Sequence, residues 1–110
     1  MNDLTKKKCI VCEGWESPLK KKEIKPYLKQ TTGWIPDKKD KYIEKEFEFK
    51  NFVKAISFIK KVAKVAEKEG HHPDIFLHDY KKVKIILTTH AIKGLSENDF
   101  IEAAKINKIY

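Results

Sequence analysis

The sequence predicts a single α+β domain in which helices pack on one face of a four-stranded antiparallel sheet. The length of 110 residues is enough for one modest hydrophobic core. Apolar residues recur at period two in some segments and at helical spacing in others. These segments follow in the order helix, strand, strand, long helix, strand, strand, helix, an order that indicates an α+β fold.

The N-terminal part is predicted to contain an arm, residues 1–16, followed by the domain, residues 17–110. A first helix is predicted from Leu19 to Gln30, with Ser17 as its N-cap and Pro18 in its first turn. A glycine, Gly33, then suits a C-terminal cap or turn.

Two strands are predicted next. Trp34 and Ile35 open a short strand that the Pro36-Asp37 turn signal interrupts. The segment from Tyr42 to Phe49 alternates between apolar and acidic residues, which predicts a half-buried strand. Lys45 falls on its apolar face, so this end is expected at a margin of the sheet.

The strongest helix signal runs from the N-cap Asn51 to about Glu69, and Gly70 ends it. Its apolar residues form one stripe at a spacing of three and four. The stripe consists of Phe52, Ala55, Ile56, Ile59, Val62, Ala63 and Ala66. Phe58 and Val65 widen the apolar side, which predicts a second burial surface such as a subunit contact.

The C-terminal part is predicted to hold a hairpin and a last helix. Strands are expected over Asp74–His78 and Lys82–Thr89, joined by the short loop 79–81. Ser96 can cap a helix from Glu97 to about Asn107.

The formal charge of +8 raises the hypothesis of nucleic-acid binding. However, the lysines are spread over the chain and mixed with glutamates, and no nucleic-acid motif accompanies them, so we expect a solvated surface. No apolar run is long enough to span a bilayer, and no apolar stretch follows the basic N-terminus as in a signal peptide. A cytoplasmic protein is therefore expected.

Cys9 and Cys12 form a Cys-x-x-Cys pair, which can be half of a zinc site. The second pair of ligands is missing, and the segment after Cys12 does not read as the helix that a redox motif needs. An N-terminal arm with two thiols and no metal is the favoured interpretation.

Three histidines stand where predicted elements end. His71 and His72 follow the long helix, and His90 follows the most regular strand. Residues at element ends can converge on one pocket, and Pro73 restricts the backbone of His72. Spacing alone leaves three interpretations open: surface histidines, a metal site, or a shared catalytic site.

A longer motif surrounds these histidines. It reads Glu67-Lys68-Glu69-Gly70-His71-His72-Pro73, then Tyr80, His90 and Asp99. This motif resembles the signature of the pterin-4a-carbinolamine dehydratase family, and the resemblance extends to Gly33-Trp34, Phe47–Phe52, Thr88-Thr89 and Gly94–Glu97. The opening Cys9–Gly14 resembles that of microbial and plant members.

The resemblance implies an enzyme that dehydrates 4a-hydroxytetrahydropterin to the quinonoid dihydropterin, without a metal or bound cofactor. It implies His71, His72 and His90 as the catalytic and pterin-contacting set, with His72 as the principal acid/base group and Glu67 as a supporting carboxylate. Trp34 is expected either to stack on the pterin or to pack in the core.

The resemblance also implies a homodimer or homotetramer. Tyr80 and Asp99 are expected to be structural, Asp99 through a capping contact with Ser96. Two departures from the family pattern, Gly70 and Asn98, leave substrate contacts in doubt. A non-catalytic pterin-binding or protein-interaction module of the same fold remains the main alternative, and a basic nucleic-acid binder the next.

Overall fold

The computed structural model describes residues 3–11 and 14–110. Its regular elements are α1 (Lys21–Leu28), β1 (Ile35–Pro36), β2 (Ile43–Glu48), α2 (Phe52–Glu69), β3 (Asp74–His78), β4 (Lys82–Leu87) and α3 (Glu97–Ile109). Short 3-10 turns precede α1, at Leu4–Lys6, and α3, at His90–Ile92. The strands pair antiparallel in the order β1-β2-β4-β3. The predicted α+β class and four-stranded antiparallel sheet are thereby confirmed.

The alternation along β4 shows which face of the sheet the helices cover. Val83, Ile85 and Leu87 are fully buried, whereas Lys84 and Ile86, on the other face, are only half-buried. The buried face meets α2 and α3, and its side chains join one core with those of the helices. The hydrophobic core therefore lies between the sheet and the helices, and the other face of the sheet is more open.

The ends of the two longer helices lie where local sequence signals predict them. The Asn51 side chain accepts a hydrogen bond from the backbone N–H of Lys54 at 2.9 Å and caps α2. Gly70 ends α2 in the left-handed conformation, with φ at 66°, which glycine adopts without a steric cost. Ser96 and Asp99 form the predicted capping box of α3.

The predicted start of α1 is wrong. The helix begins at Lys21, because the backbone N–H of Leu19 is bonded to the carbonyl of Leu95. A contact between the backbone N–H of Lys20 and the Glu23 carboxylate then caps the helix. Ser17 and Pro18 consequently lie in the segment before the helix, directly ahead of the hydrogen bond that joins Leu19 to Leu95.

The predicted stripe of α2 is shifted from the face that the core covers. Phe58 is buried in a cluster with Phe47, Phe49 and Tyr110, so it is a core residue and not part of a second surface. Phe52, by contrast, is 50% exposed. The apolar side of α2 is wider than the core can cover, and the uncovered part is the edge that carries Phe52, Val53 and Ile56.

Lys45 does not place its strand end at a sheet margin. β2 lies between β1 and β4, and the Lys45 ammonium passes over the Phe47 ring, 4.8 Å from its centroid. It donates hydrogen bonds to Asn107 Oδ1 at 2.8 Å and to the Thr32 carbonyl at 2.9 Å. The aliphatic stem therefore fills an apolar position, while the charged end reaches polar partners.

Residues 3–11 pack against the rest of the domain. Leu4 is fully buried, and Cys9 has 8% of its surface exposed. The Cys9 backbone N–H donates to Glu69 Oε1 at 2.9 Å, which ties this segment to the end of α2. Burial raises the pKa of the Cys9 thiol to about 12, so it is an inert, protonated side chain. Cys12 lies outside the described residues.

Residues 3–11 and 14–110 contain neither a membrane-spanning helix nor a cluster of metal ligands. No helix there is long and apolar enough to cross a membrane. No group of three or more histidine, cysteine, aspartate or glutamate side chains is placed to hold a metal ion.

Candidate active site

The three histidines singled out in the sequence line one pocket. Its volume is about 280 Å³, close to the lower end for small-molecule sites. His71 and His72 enter it from the end of α2, and His90 enters from the turn after β4. The remaining lining residues are Ile10, Val11, Gly70, Thr88, Thr89, Ala91 and Asn98. The fold therefore brings the three histidines to one pocket, and their shared catalytic role stays a prediction.

His71 is held by a buried carboxylate. Its Nε2 lies 2.6 Å from Asp99 Oδ1, and Asp99 is fully buried. The backbone N–H of His71 also bonds to the Ala66 carbonyl, so the end of α2 fixes the main chain. Because an aspartate accepts the Nε2 proton, Nδ1 is left to give or take a proton.

Asp99 is fixed by further hydrogen bonds. Its Oδ2 accepts from the Thr89 hydroxyl at 2.8 Å and from the Ser96 backbone N–H at 3.0 Å. The Thr89 hydroxyl also lies 2.7 Å from Ser96 Oγ. The predicted capping role of Asp99 is present, but the same carboxylate also orients His71. Neither this second role of Asp99 nor the contact that Thr89 makes with it was predicted from the sequence.

The charge of Asp99 changes the proton affinity of His71. Burial alone would lower the pKa of the imidazole, but the hydrogen bond and the negative charge of Asp99 outweigh it, with a further contribution from Glu102. The pKa of His71 is therefore raised above its usual value. His71 is charged over a wider pH range than an isolated histidine.

His72 has a different environment. Its Nε2 lies 2.5 Å from Oε2 of Glu67, which is five residues earlier in the chain and belongs to α2. Both side chains are exposed. Glu67 therefore contacts a pocket histidine but does not itself line the pocket, and its role as a supporting carboxylate stays a prediction. Because the pair is open to solvent, it adds little to stability but can still orient the ring.

His90 begins the 3-10 turn after β4, and its side chain is exposed at the pocket. The turn is closed by an antiparallel bridge between Thr89 and Gly94. The backbone around His90 is therefore fixed, although the ring has no hydrogen-bond partner among residues 3–11 and 14–110.

Trp34 does not line the pocket. It is 4% exposed, its Nε1 donates to Asn107 Oδ1 at 3.1 Å, and its ring meets Phe47 edge-on. Of its two predicted roles, core packing is the one that these contacts fulfil. The stacking contact with a pterin stays a prediction without a geometric basis in this chain. Tyr80 is likewise outside the pocket, exposed in the hairpin loop with φ at 52°.

The two departures from the family pattern have structural explanations. Gly70 occupies the left-handed position that ends α2. This backbone conformation favours glycine and explains the residue without a substrate contact. The Asn98 carboxamide accepts from the Ile10 backbone N–H at 3.0 Å and donates to the Ile10 carbonyl at 2.6 Å. Asn98 thereby holds the N-terminal segment at the edge of the pocket.

That segment forms an apolar wall. Ile10 and Val11 line the pocket, and their side chains are 76% and 82% exposed. Their place in the pocket was not predicted from the sequence, because two apolar residues in an arm carry no local signal that separates pocket residues from ordinary surface residues.

The fold and the pocket define a class: a small α+β domain with a pocket lined by three histidines. Residues 17–109 match the family described as pterin 4 alpha carbinolamine dehydratase. A putative pterin-4-alpha-carbinolamine dehydratase of Alkaliphilus metalliredigens is 49% identical over 98% of this chain and 96% of its own length. One from Nitrosospira multiformis is 46% identical over 100% of this chain and 95% of its own.

A solved structure adds a comparison of folds. The transcriptional coactivator/pterin dehydratase from Brucella melitensis aligns with a TM-score of 0.78 and 34% identity, over 84% of this chain and 98% of that one. The chain described here belongs to the pterin-4-alpha-carbinolamine dehydratase family, a family of hydro-lyases.

Proposed function

We propose that the protein dehydrates 4a-hydroxytetrahydropterin, the pterin-4a-carbinolamine, to quinonoid dihydropterin in tetrahydropterin recycling. The observation that carries the proposal is the convergence of His71, His72 and His90 on one pocket. Family membership supplies the substrate class. We further propose that the protein works in the cytoplasm and consists of an N-terminal arm, residues 1–16, and the domain, residues 17–110.

The reaction needs one acid and one base. The bond between C4a and its hydroxyl oxygen breaks while the N5 lone pair forms a C=N double bond. A base accepts the N5 proton, and an acid protonates the departing hydroxyl, so one water is lost. Histidine can take either part near neutral pH, and N5 itself supplies the electron pair.

The two paired histidines suit different parts of this step. The raised pKa of His71, caused by Asp99, favours its charged form, which can donate to the leaving hydroxyl. His72, oriented by Glu67, is proposed as the principal group that exchanges the other proton. His90 is proposed to contact the pterin ring.

The proposal predicts that His72→Ala lowers the dehydration rate by roughly 100-fold, the usual size of a lost acid/base group. Chemically generated 4a-hydroxytetrahydropterin is mixed with the protein, and the ultraviolet change is followed against buffer. His78→Ala is the matched control, because His78 pairs with Glu46 on the sheet and does not line the histidine pocket. Its rate is expected to equal that of the wild type.

Two results would contradict the proposal. One is a wild-type rate equal to that of buffer, and the other is a His72→Ala rate equal to the wild type. Saturable pterin binding with no acceleration would instead identify a non-catalytic pterin-binding module of the same fold.

A further inference from the structure

Glu102 is a buried carboxyl group that the proposed step does not use. It lies on α3, three residues after Asp99, and no part of it is exposed. Within the described chain, neither of its carboxylate oxygens has a hydrogen-bond partner. A buried polar group in this position is costly, and an ionised one more so, unless it has a charged neighbour.

The charged and titratable groups around Glu102 come from three elements. They are Asp99 and Lys105 on α3, Glu69 and His71 at the end of α2, and Cys9 in the N-terminal segment.

Glu69 is already bound by Lys105, with Nζ 2.6 Å from Oε2, and by the Cys9 backbone. Asp99 is bound by His71, Thr89 and Ser96. Glu102 is thus the one carboxyl of this group without a bonded partner in residues 3–11 and 14–110.

His71 and Glu102 influence each other electrostatically. Burial raises the pKa of Glu102 to about 8, and the negative charges of Asp99 and Glu69 act in the same direction. His71 opposes this rise, and Glu102 in turn helps to raise the pKa of His71. Each group therefore favours the charged form of the other, and Asp99, three residues before Glu102 on α3, is the residue that holds His71.

We propose that Glu102 is a positioning residue that holds a proton in the core, three residues from Asp99 on α3, and that on releasing it Glu102 strengthens the hold of the Asp99 site on the His71 proton. At acidic pH Glu102 is neutral and adds no charge to the site. As the pH rises, its ionisation places a second negative charge near the imidazolium. The catalytic consequence rests on the proposed function, but the proton exchange itself does not.

The first test is Glu102→Gln, which removes the titrating group and keeps a similar shape. The protonation of the His71 ring is followed by NMR as a function of pH in the wild type and the variant. We expect the variant ring to bind its proton at least about threefold less tightly, and to titrate in a single step, because the stabilising charge is gone. If the protein is active in the dehydratase assay, the alkaline limb of the pH profile moves to lower pH, in line with the same change in proton affinity.

The matched control is Glu97→Gln, the same chemical change on the same helix. The Glu97 carboxylate bonds to Lys7 and the Tyr27 hydroxyl and is not one of the groups that raise the pKa of His71. Its His71 titration is expected to follow the wild type. Should Glu97→Gln shift His71 as much as Glu102→Gln does, a general loss of negative charge would explain both, and the proposal would fail.

A second variant, Glu102→Leu, keeps the test decisive if a buried glutamine disturbs the fold. Leucine fills the site without a charge or an unpartnered polar atom, and it is expected to give the same shift of His71. An unchanged His71 titration in folded Glu102→Leu overturns the proposal. Because the NMR titration needs no turnover, a shifted ring in an inactive protein would refute the proposed function and leave this inference standing.

Discussion

Asp99 joins two roles that are usually assigned to separate residues. One oxygen caps α3 with Thr89 and Ser96, and the other holds His71 at 2.6 Å. The start of the helix and the orientation of the pocket histidine therefore depend on a single carboxylate. A change at this position would be expected to alter both the stability of α3 and the protonation of the pocket.

The raised pKa of Glu102 predicts how stability depends on pH. The folded protein binds this proton up to a pH of about 8, whereas an exposed glutamate releases it near its ordinary pKa of 4.5. Between these values the folded state holds more protons than the unfolded chain, so the free energy of unfolding falls as pH rises. The raised pKa of His71 acts in the same direction, since its contribution is also lost on raising the pH.

Glu102→Leu is accordingly expected to be more stable than the wild type at pH 8, by on the order of 2 kcal/mol, and nearly equal to it at pH 5. Urea unfolding at the two pH values measures the difference. A residual slope from His71 should remain in the variant. Parallel stability curves for wild type and variant would show that Glu102 ionises normally in the folded state.

The N-terminal segment acts as a structural element of the pocket, although it contains only one short 3-10 turn. Leu4 anchors it in the core, the Glu69 carboxylate binds the Cys9 backbone, and Asn98 binds both sides of Ile10. The two exposed apolar residues at its end are thereby held at the pocket. We therefore expect Asn98 to influence ligand binding through its two hydrogen bonds to Ile10.

Asn98→Ala removes both hydrogen bonds to Ile10, and we expect it to weaken pterin binding by up to about tenfold. Calorimetry measures the affinity, and amide hydrogen exchange at Ile10 reports whether the segment is released. Asn107→Ala is the control. Asn107 is on the same helix as Asn98 and bonds to Trp34 and Lys45, but it does not line the pocket. Faster exchange at Ile10 with an unchanged affinity would show that the wall does not contact the ligand.

At the scale of the whole molecule, the outer edge of α2 is an exposed apolar surface. Val53 is 73% exposed beside Phe52, and Ile56 continues the same surface. The sequence predicted such a surface for a subunit contact but assigned it to Phe58 and Val65. The dimer or tetramer implied by the family resemblance is therefore proposed to use the edge that carries Val53.

A charge on this edge should prevent assembly. Val53→Glu is expected to give a smaller species than the wild type in light scattering, because a carboxylate would be buried without a partner. Phe76→Glu, on the open face of the sheet and 53% exposed, is the matched control. Loss of assembly in Phe76→Glu alone would place the contact on the sheet instead.

Local signals were sufficient for most of the fold. Asn51, Gly70 and Ser96 mark helix ends because capping depends on residues within one turn. The alternation in β2 and β4 identifies strands because neighbouring side chains point to opposite faces. The motif around the paired histidines likewise named a set that the pocket brings together, His71, His72 and His90.

What the sequence alone determined is therefore the order and type of the elements, most of their ends and the three pocket histidines. The tertiary structure decided which edge of α2 is buried, that Trp34 belongs to the core, and that α1 starts after a contact with Leu95. It also decided that Asp99 holds His71 and that Glu102 is fully buried. Burial and long-range hydrogen bonds depend on which elements pack together, and no local pattern encodes that packing.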